Sequence, residues 1–420
     1  VSGLDLAFVR QHFPAFNDGS SLKGLFFDSA AGSLPCQETI DALHRFYQEL
    51  KVQPGNPYPV SEQGMALMQQ AKRRWASALG VAPHELGFGP STSQNTYVLA
   101  QAFKGVWQEG DELVLTSQDH ESNIGAMLRA AEASGVTVRF WHPDPETGLL
   151  NVEDLKPLLN HRTSLVCFPH ASNITGQKNK AEEIVRLAKA VGAYTMVDGV
   201  SYAPHAIPNV PEVGADIYIF SLYKVYSVHL GIMVVREALL EALPKQGHFF
   251  KQGLDVNERL VPAGPDHGQI AAANGTMDYI ETLSAHHGGP TGARISEGQS
   301  LELEAAQFVS NLWREHERGL VEPLLECLSS TQSVRLLGND VADEYRCPVV
   351  SFSPSNDEPA DLRHILCDQN VLLSSGHYYA PRLLEQTGVD PERGVVRISM
   401  AHYNTAEDVE LLVSKLQSLL

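Results

Sequence analysis

Short apolar runs rich in β-branched and aromatic residues recur through the middle of the chain: ELGFGPS, DELVLTS, VTVRFW, TSLVCFP, AYTMVDG, ADIYIFS and GIMVVRE. Between several of them lie stretches with helical spacing of apolar positions, namely TYVLAQAFKGV, NIGAMLRAAEAS, VEDLKPLLN and NKAEEIVRLAKAVG. Strands and helices alternating at these lengths predict right-handed crossovers onto a largely parallel sheet, an α/β architecture. The alternation breaks at GIMVV, which follows ADIYIFS after barely a turn and predicts an antiparallel or edge strand in a mixed sheet. Upstream, ETIDALHRFYQELK and GMALMQQAKRRWASALG read as helices separated by the loop VQPGNPYPVSEQ. Downstream, AHHGGPTGARISEGQS marks a boundary. Beyond it a long helix pattern, the strands SVRLLG and VVSFSP, the helix PADLRHILCDQ and the pair GVVRISMAHYNT and AEDVELLVSKLQSLL predict a smaller α+β domain. The expected organisation is an N-terminal segment with helices over 1–79, a large α/β domain over 80–285 and a small domain over 286–420.

Composition narrows the function class. With 31 Lys and Arg against 50 Asp and Glu the formal charge is −19, which argues against nucleic acid and anionic membranes as partners. No long apolar stretch predicts a signal peptide or a transmembrane segment. Five scattered cysteines, Cys36, Cys167, Cys327, Cys347 and Cys367, show no C-x-x-C pair and no metal-ligand spacing. An odd count in a large chain fits free thiols in a reducing compartment, so cytoplasm is the expected location. No H-x-x-x-H helix pair and no G-x-S-x-G motif occur.

Candidate chemistry gathers at predicted strand ends. Asp198 closes an apolar strand in TMVDGVSYAPH, and Lys224 follows the next strand in FSLYKVYS. A desolvated lysine has a lowered pKa and can form a Schiff base, and an Asp can pair with a pyridinium nitrogen. Together they describe a pyridoxal phosphate site; a turn-capping Asp and a snorkelling Lys are the plainer reading of the same two residues. Ser91, Thr92 and Ser93 stand between a strand and a helix, where hydroxyls and free helix N–H groups seat a phosphate or simply cap the helix. Ser221, three residues before Lys224, adds a hydroxyl. His120 in SQDHESN is placed to stack on a planar ring, and Asn173 follows another strand end, with His170 just before it. Arg397 in RISMAHYNT suits bidentate capture of an α-carboxylate, or a structural acid.

These segments, in order from LFFDSAAG through GPSTSQNT, DHESNI, HASNITG, VDGVSYAPH, FSLYKVYS and NGTMDY to RISMAHYNT, resemble the class V aminotransferase and cysteine desulfurase family of fold-type I pyridoxal-phosphate enzymes. The resemblance spans nearly the whole chain and implies a mainly parallel mixed sheet flanked by helices, with a smaller α+β C-terminal domain. It also implies Lys224 as the Schiff-base lysine, Asp198 at the ring nitrogen, His120 stacked on the ring and Asn173 near the phenolic oxygen. Thr92, Ser93 and Ser221 would hold the phosphate, helped by Thr276 from a second subunit of a homodimer, and Arg397 would bind the substrate carboxylate.

Departures from the family pattern matter for the reaction. Where group II desulfurases and selenocysteine lyases carry a loop cysteine, this chain reads SSGHYYAPRLL, with Tyr379 at the acceptor position. A phenol with a pKa near ~10 is no substitute for a thiolate. Ser201 replaces a glutamine near the phenolic oxygen, and Tyr223 replaces the histidine before the lysine. The leading expectation is α-proton abstraction from a small amino acid, ending in transamination, β-elimination of the C–S lyase type, or epimerisation. The alternative is a cysteine desulfurase or selenocysteine lyase with a non-standard sulfur acceptor, working with a sulfur-acceptor protein. A catalytically silent interaction protein with the same fold is a further alternative.

Overall fold

The computed structural model describes residues 3–251, 253–290 and 300–420. Part of the expected boundary segment, residues 291–299, lies outside the described residues. Thirteen strands are described: β1 Leu25–Phe26, β2 Leu86–Gly89, β3 Glu112–Thr116, β4 Thr137–Trp141, β5 Thr163–Pro169, β6 Tyr194–Asp198, β7 Ile217–Ser221, β8 Gly231–Val235, β9 Val334–Leu337, β10 Val349–Pro354, β11 Val371–Leu372, β12 Ser374–Gly376 and β13 Val395–Ser399.

Seven of them form one sheet in the order β2-β8-β7-β6-β5-β3-β4. The five strands from β7 to β4 are parallel, and β8 runs antiparallel between β7 and β2. GIMVV is thus antiparallel as its short connection requires, and it is interior rather than at an edge. Because β8 reverses twice, the carboxyl end of β2 emerges on the same side as those of β3, β5, β6 and β7. That side of an open α/β sheet is where ligands bind.

Both faces of the sheet are covered, as the unbroken apolar runs demand. Along β5, Leu165 and Cys167 join one apolar cluster while Val166 and Phe168 join another. Along β7, Ile217 and Ile219 split from Tyr218 and Phe220 in the same way. This is the two-residue alternation of a strand buried on both sides. Truncating a fully buried position such as Ile219 to alanine would cost about 2–5 kcal/mol.

The second sheet is antiparallel, in the order β12-β13-β10-β9. It shares an apolar cluster with the end of the helix Leu301–Ser330 and with the C-terminal helix Ala406–Leu419. Thr405 starts that last helix in a capping box with Asp408, whose carboxylate also takes Arg10 from the N-terminal helix. A two-stranded parallel pair, β1 with β11, ties residues 25–26 to residues 371–372. The architecture is a large mixed, mostly parallel sheet flanked by helices and accompanied by a smaller α+β unit.

Candidate active site

The strand ends bring eight of the singled-out residues to one pocket: Thr92, Ser93, His120, Asn173, Asp198, Ser201, Ser221 and Lys224 all line it. Larger clefts of about 720 and 740 Å³ lie elsewhere. The first is walled by balanced acids and bases and the second is mostly apolar. Neither brings together an amine, an acid and a phosphate seat, so chemistry rather than size marks the site.

One end of the pocket is hydroxylic. The helix Thr92–Phe103 begins there with its first N–H groups open, Ser91 capping Gln94 N. Thr92 Oγ1 and Ser221 Oγ are 2.7 Å apart and buried. Gly231 lets β8 pass this helix start, since a Cβ there would meet Thr92 N at 2.5 Å. Hydroxyls and free N–H groups at a helix N-terminus form a seat for a phosphate.

The opposite end is acidic. Asp198 Oδ1 accepts from Val200 N at 2.7 Å, and Oδ2 accepts from Asn123 Nδ2. Burial raises the Asp198 pKa, while those two hydrogen bonds and Lys224 pull against the rise. Asn123 Nδ2 also reaches Asp119 Oδ1 at 3.0 Å. Burial, and then the charge of Asp198, hold Asp119 well above the usual carboxylate range.

Lys224 sits on the single turn after β7 and is 8 % exposed. Among the described residues its Nζ has no hydrogen-bond or ion-pair partner. Burial, reinforced by the charge of Arg397, pushes its pKa down to about 8. A buried amine left unpaired beside a pocket is a group awaiting a partner. His120 is held at about 3 by burial and by Lys224, so its ring is neutral. Its Nδ1 accepts from Ser122 N at 3.1 Å, which assigns the remaining ring proton to Nε2.

Arg397 is 2 % exposed, and its Nη1 donates to Asn173 O at 3.1 Å. Its guanidinium lies 3.9 Å over the Tyr378 ring, and Asp28 is 3.8 Å from Nη2. Nε has no partner. Tyr379, 66 % exposed, sets its ring 5.2 Å from that of His120.

Two residues lie away from the pocket of their own chain. Thr276 does not line it. It is fully buried within the helix His267–His286, bonded to Thr39 at 3.0 Å. The adjoining Gly275 is needed for helix packing, because a Cβ there would lie 2.4 Å from the Glu38 and Thr39 backbone. Cys367 directs Sγ to Leu373 O at 3.7 Å. None of the five cysteines lines the pocket, and four are buried elsewhere.

Asp119, Asn123, Asp28 and Tyr378 were missed by the sequence reading. Asp119 lies in the turn before the helix Glu121–Ala133 and Asn123 in its first turn, so no helical spacing pointed to the pair. Asp28 stood in the quoted LFFDSAAG without a role. The donor set fits a planar, phosphorylated pyridine aldehyde: a phosphate seat, an acid at the far end, a neutral imidazole and an unpaired amine.

Comparison with known proteins agrees with that chemistry. The profile of the family described as Aminotransferase class-V matches residues 25–412. The aminotransferase-like protein FGM3 of Gibberella zeae is 32% identical over 428 residues, covering 100% of this chain and 99% of that protein. A cysteine desulfurase of Pectobacterium carotovorum is 28% identical over 419 residues, with 98% and 97% covered. In fold, the cysteine desulfurase of Thermococcus onnurineus NA1 superposes with a TM-score of 0.84 at 23% identity, covering 98% of this chain and 97% of that one.

Proposed function

The chain belongs to the class-V aminotransferase family of pyridoxal-phosphate-dependent enzymes, and from that premise we propose that it cleaves a Cβ–S or Cβ–Se bond of a small amino acid. The acceptor of the departing atom is a thiol outside the Tyr379 loop. Several relatives are cysteine desulfurases, which favours this reading over the transamination among the exits expected first. The observation that carries the enzymatic part is the buried, unpaired Lys224 amine facing Asp198 across one pocket.

Bound there, pyridoxal phosphate supplies an electron sink that acidifies the substrate Cα–H. Thr92, Ser93 and Ser221, with the open helix N-terminus, would hold its phosphate. Asp198 would hold the ring nitrogen, Asn173 and Ser201 would lie toward the phenolic side, and His120 would flank the ring. Lys224 Nζ would hold the aldehyde carbon at rest and take the Cα proton once released. Arg397, with its free Nε, would bind the substrate carboxylate, and Tyr379 would wall the substrate side chain. The same reading carries a homodimer with the pocket at its interface.

The reaction balances as cysteine plus a thiol giving alanine plus a persulfide. Incubating the holoenzyme with L-cysteine or L-selenocysteine and a thiol should therefore yield alanine and a reducible persulfide or selenide. Release of pyruvate and ammonia instead would make the enzyme an eliminating lyase. Ketoacid exchange without loss of sulfur would return transamination, the second reading, which the name of the Gibberella zeae relative favours.

A further inference from the structure

Asp119 and Asp198 are joined by one amide, since Asn123 Nδ2 donates to Asp119 Oδ1 at 3.0 Å and also to Asp198 Oδ2. Oxygens sharing a donor nitrogen lie on the order of 5 Å apart. Asn123 cannot turn away easily, because Thr96 Oγ1 fixes its Oδ1 from the other side at 3.2 Å. Both acids are buried, at 3 % and 6 % exposure, and both line the pocket. Among the described residues neither forms a salt bridge.

The titratable groups that face them are His120 beside Asp119, Cys167 from β5, Tyr218 from β7, and Tyr223 and Lys224 from the turn after it. Burial keeps the imidazole, thiol and phenols uncharged near neutral pH. Lys224 is the one cation among them. Two carboxylates this close in a buried site do not both ionise, so one proton stays with the pair. Asp119 Oδ1 already accepts from His120 N at 2.7 Å as well as from Asn123, which leaves Oδ2 to carry the proton.

Resting on the seating of the cofactor proposed above, we infer that Asp119 and Asp198 hold one proton between them in the cofactor-free protein and deliver it to the pyridine nitrogen when the cofactor binds. One O–H bond breaks, one N–H bond forms, and the electron pair of the O–H bond stays on the carboxylate. No further reactant is needed. The transfer leaves both carboxylates ionised, their repulsion offset by the positive charge on the ring nitrogen, and draws no proton from solvent. Asp119 is then a positioning residue for that proton.

Calorimetry of pyridoxal phosphate binding to cofactor-free protein, in buffers of different ionisation enthalpy, counts the protons exchanged with solvent. Near neutral pH the Asp119→Asn protein should take up about one proton more than the wild type, because its Asp198 is already ionised. Equal counts would overturn the inference. Infrared spectra of the cofactor-free proteins supply a second readout: the wild type should show a buried carboxyl C=O band, lost on cofactor binding and missing from Asp119→Asn. Absence of that band in the wild type overturns the inference even where the variant folds poorly. Neither readout needs turnover. A protein that binds cofactor yet leaves L-cysteine intact fails the proposed function while the proton count still decides the pair.

Discussion

The floor of the pocket and its rim are held in place by different means. Asp198 and Lys224 end or follow strands inside the large sheet, and β7 is buried along its whole length. The rim, from Gly376 to Ala380, is a turn of the smaller unit with two consecutive non-glycine residues in the left-handed region, Tyr378 at φ 48° and Tyr379 at φ 59°. Each such residue costs about 1–2 kcal/mol. Polar contacts reaching across the pocket offset that cost: Asn173 Nδ2 donates to Tyr378 O at 2.9 Å, and Glu121 N to Tyr379 O at 2.6 Å. Arg382 adds an ion pair with Glu121. The floor is fixed by burial and the rim by a few replaceable bonds. On the proposed function, cofactor chemistry would belong to the first and choice of reaction to the second, where this chain carries Tyr379.

The sharpest way to break this division is to remove the amine. Lys224→Ala should lose essentially all turnover and the visible absorbance of lysine-bound cofactor. A borohydride-reducible adduct at another lysine in that variant would overturn the assignment. The same amine gives a pH signature in the cofactor-free protein. Labelling of Lys224 by an amine reagent should titrate at about 8 rather than the ordinary 10.5. The sign for stability follows from the unfolded chain binding this proton more tightly. The contribution of Lys224 to stability is smallest below pH about 8 and grows as pH rises toward 10.5.

Asp198→Asn should preserve the fold and reduce kcat by about a hundredfold, a few kcal/mol of lost transition-state stabilisation. Near-normal kinetics would show that the ring nitrogen is held by something else. Arg397→Lys is expected to raise KM by roughly tenfold or more with less effect on kcat, because an ammonium cannot form the bidentate contact. An unchanged KM would place the substrate carboxylate elsewhere. The smallest effect belongs to the rim. Tyr379→Phe should keep a substantial part of the activity, and Tyr379→Cys should not by itself make an efficient loop-thiol desulfurase. A thiol misplaced by about 1 Å can cost a hundredfold. Complete loss of turnover in a well-folded Tyr379→Phe protein would make the phenol an acid–base participant and erase the distinction between rim and floor.

The floor was also the part that could be read in advance. Runs such as TSLVCFP and ADIYIFS are unmistakable because both faces of β5 and β7 are buried, so no polar alternation dilutes them. Their ends then locate Asp198 and Lys224. What escaped depended on partners distant in sequence. β1, β11 and β12 are two or three residues long and have no pattern of their own. The helix His267–His286 was hidden by Asn274, Gly275 and Thr276, poor helix formers that serve close packing against the helix Gln37–Arg45. Asp119 becomes significant only when β3 and β6 are known to flank β5, which brings its carboxylate toward Asp198.

The pairing of Leu25 and Phe26 with Val371 and Leu372 sets the order in which the chain can be completed. A ribosome makes residues 25–26 long before residues 371–372. Until then Leu25 N lacks its acceptor, Asn370 O, and Phe27 N lacks Leu372 O. Contacts of such long sequence separation form late and slow the folding of the units they join. The large sheet, whose strands run from residue 86 to residue 235, closes without them. Newly made protein should thus pass through a state with the large sheet formed and β1 and β11 unpaired, exposing Phe27 and its apolar neighbours to chaperones.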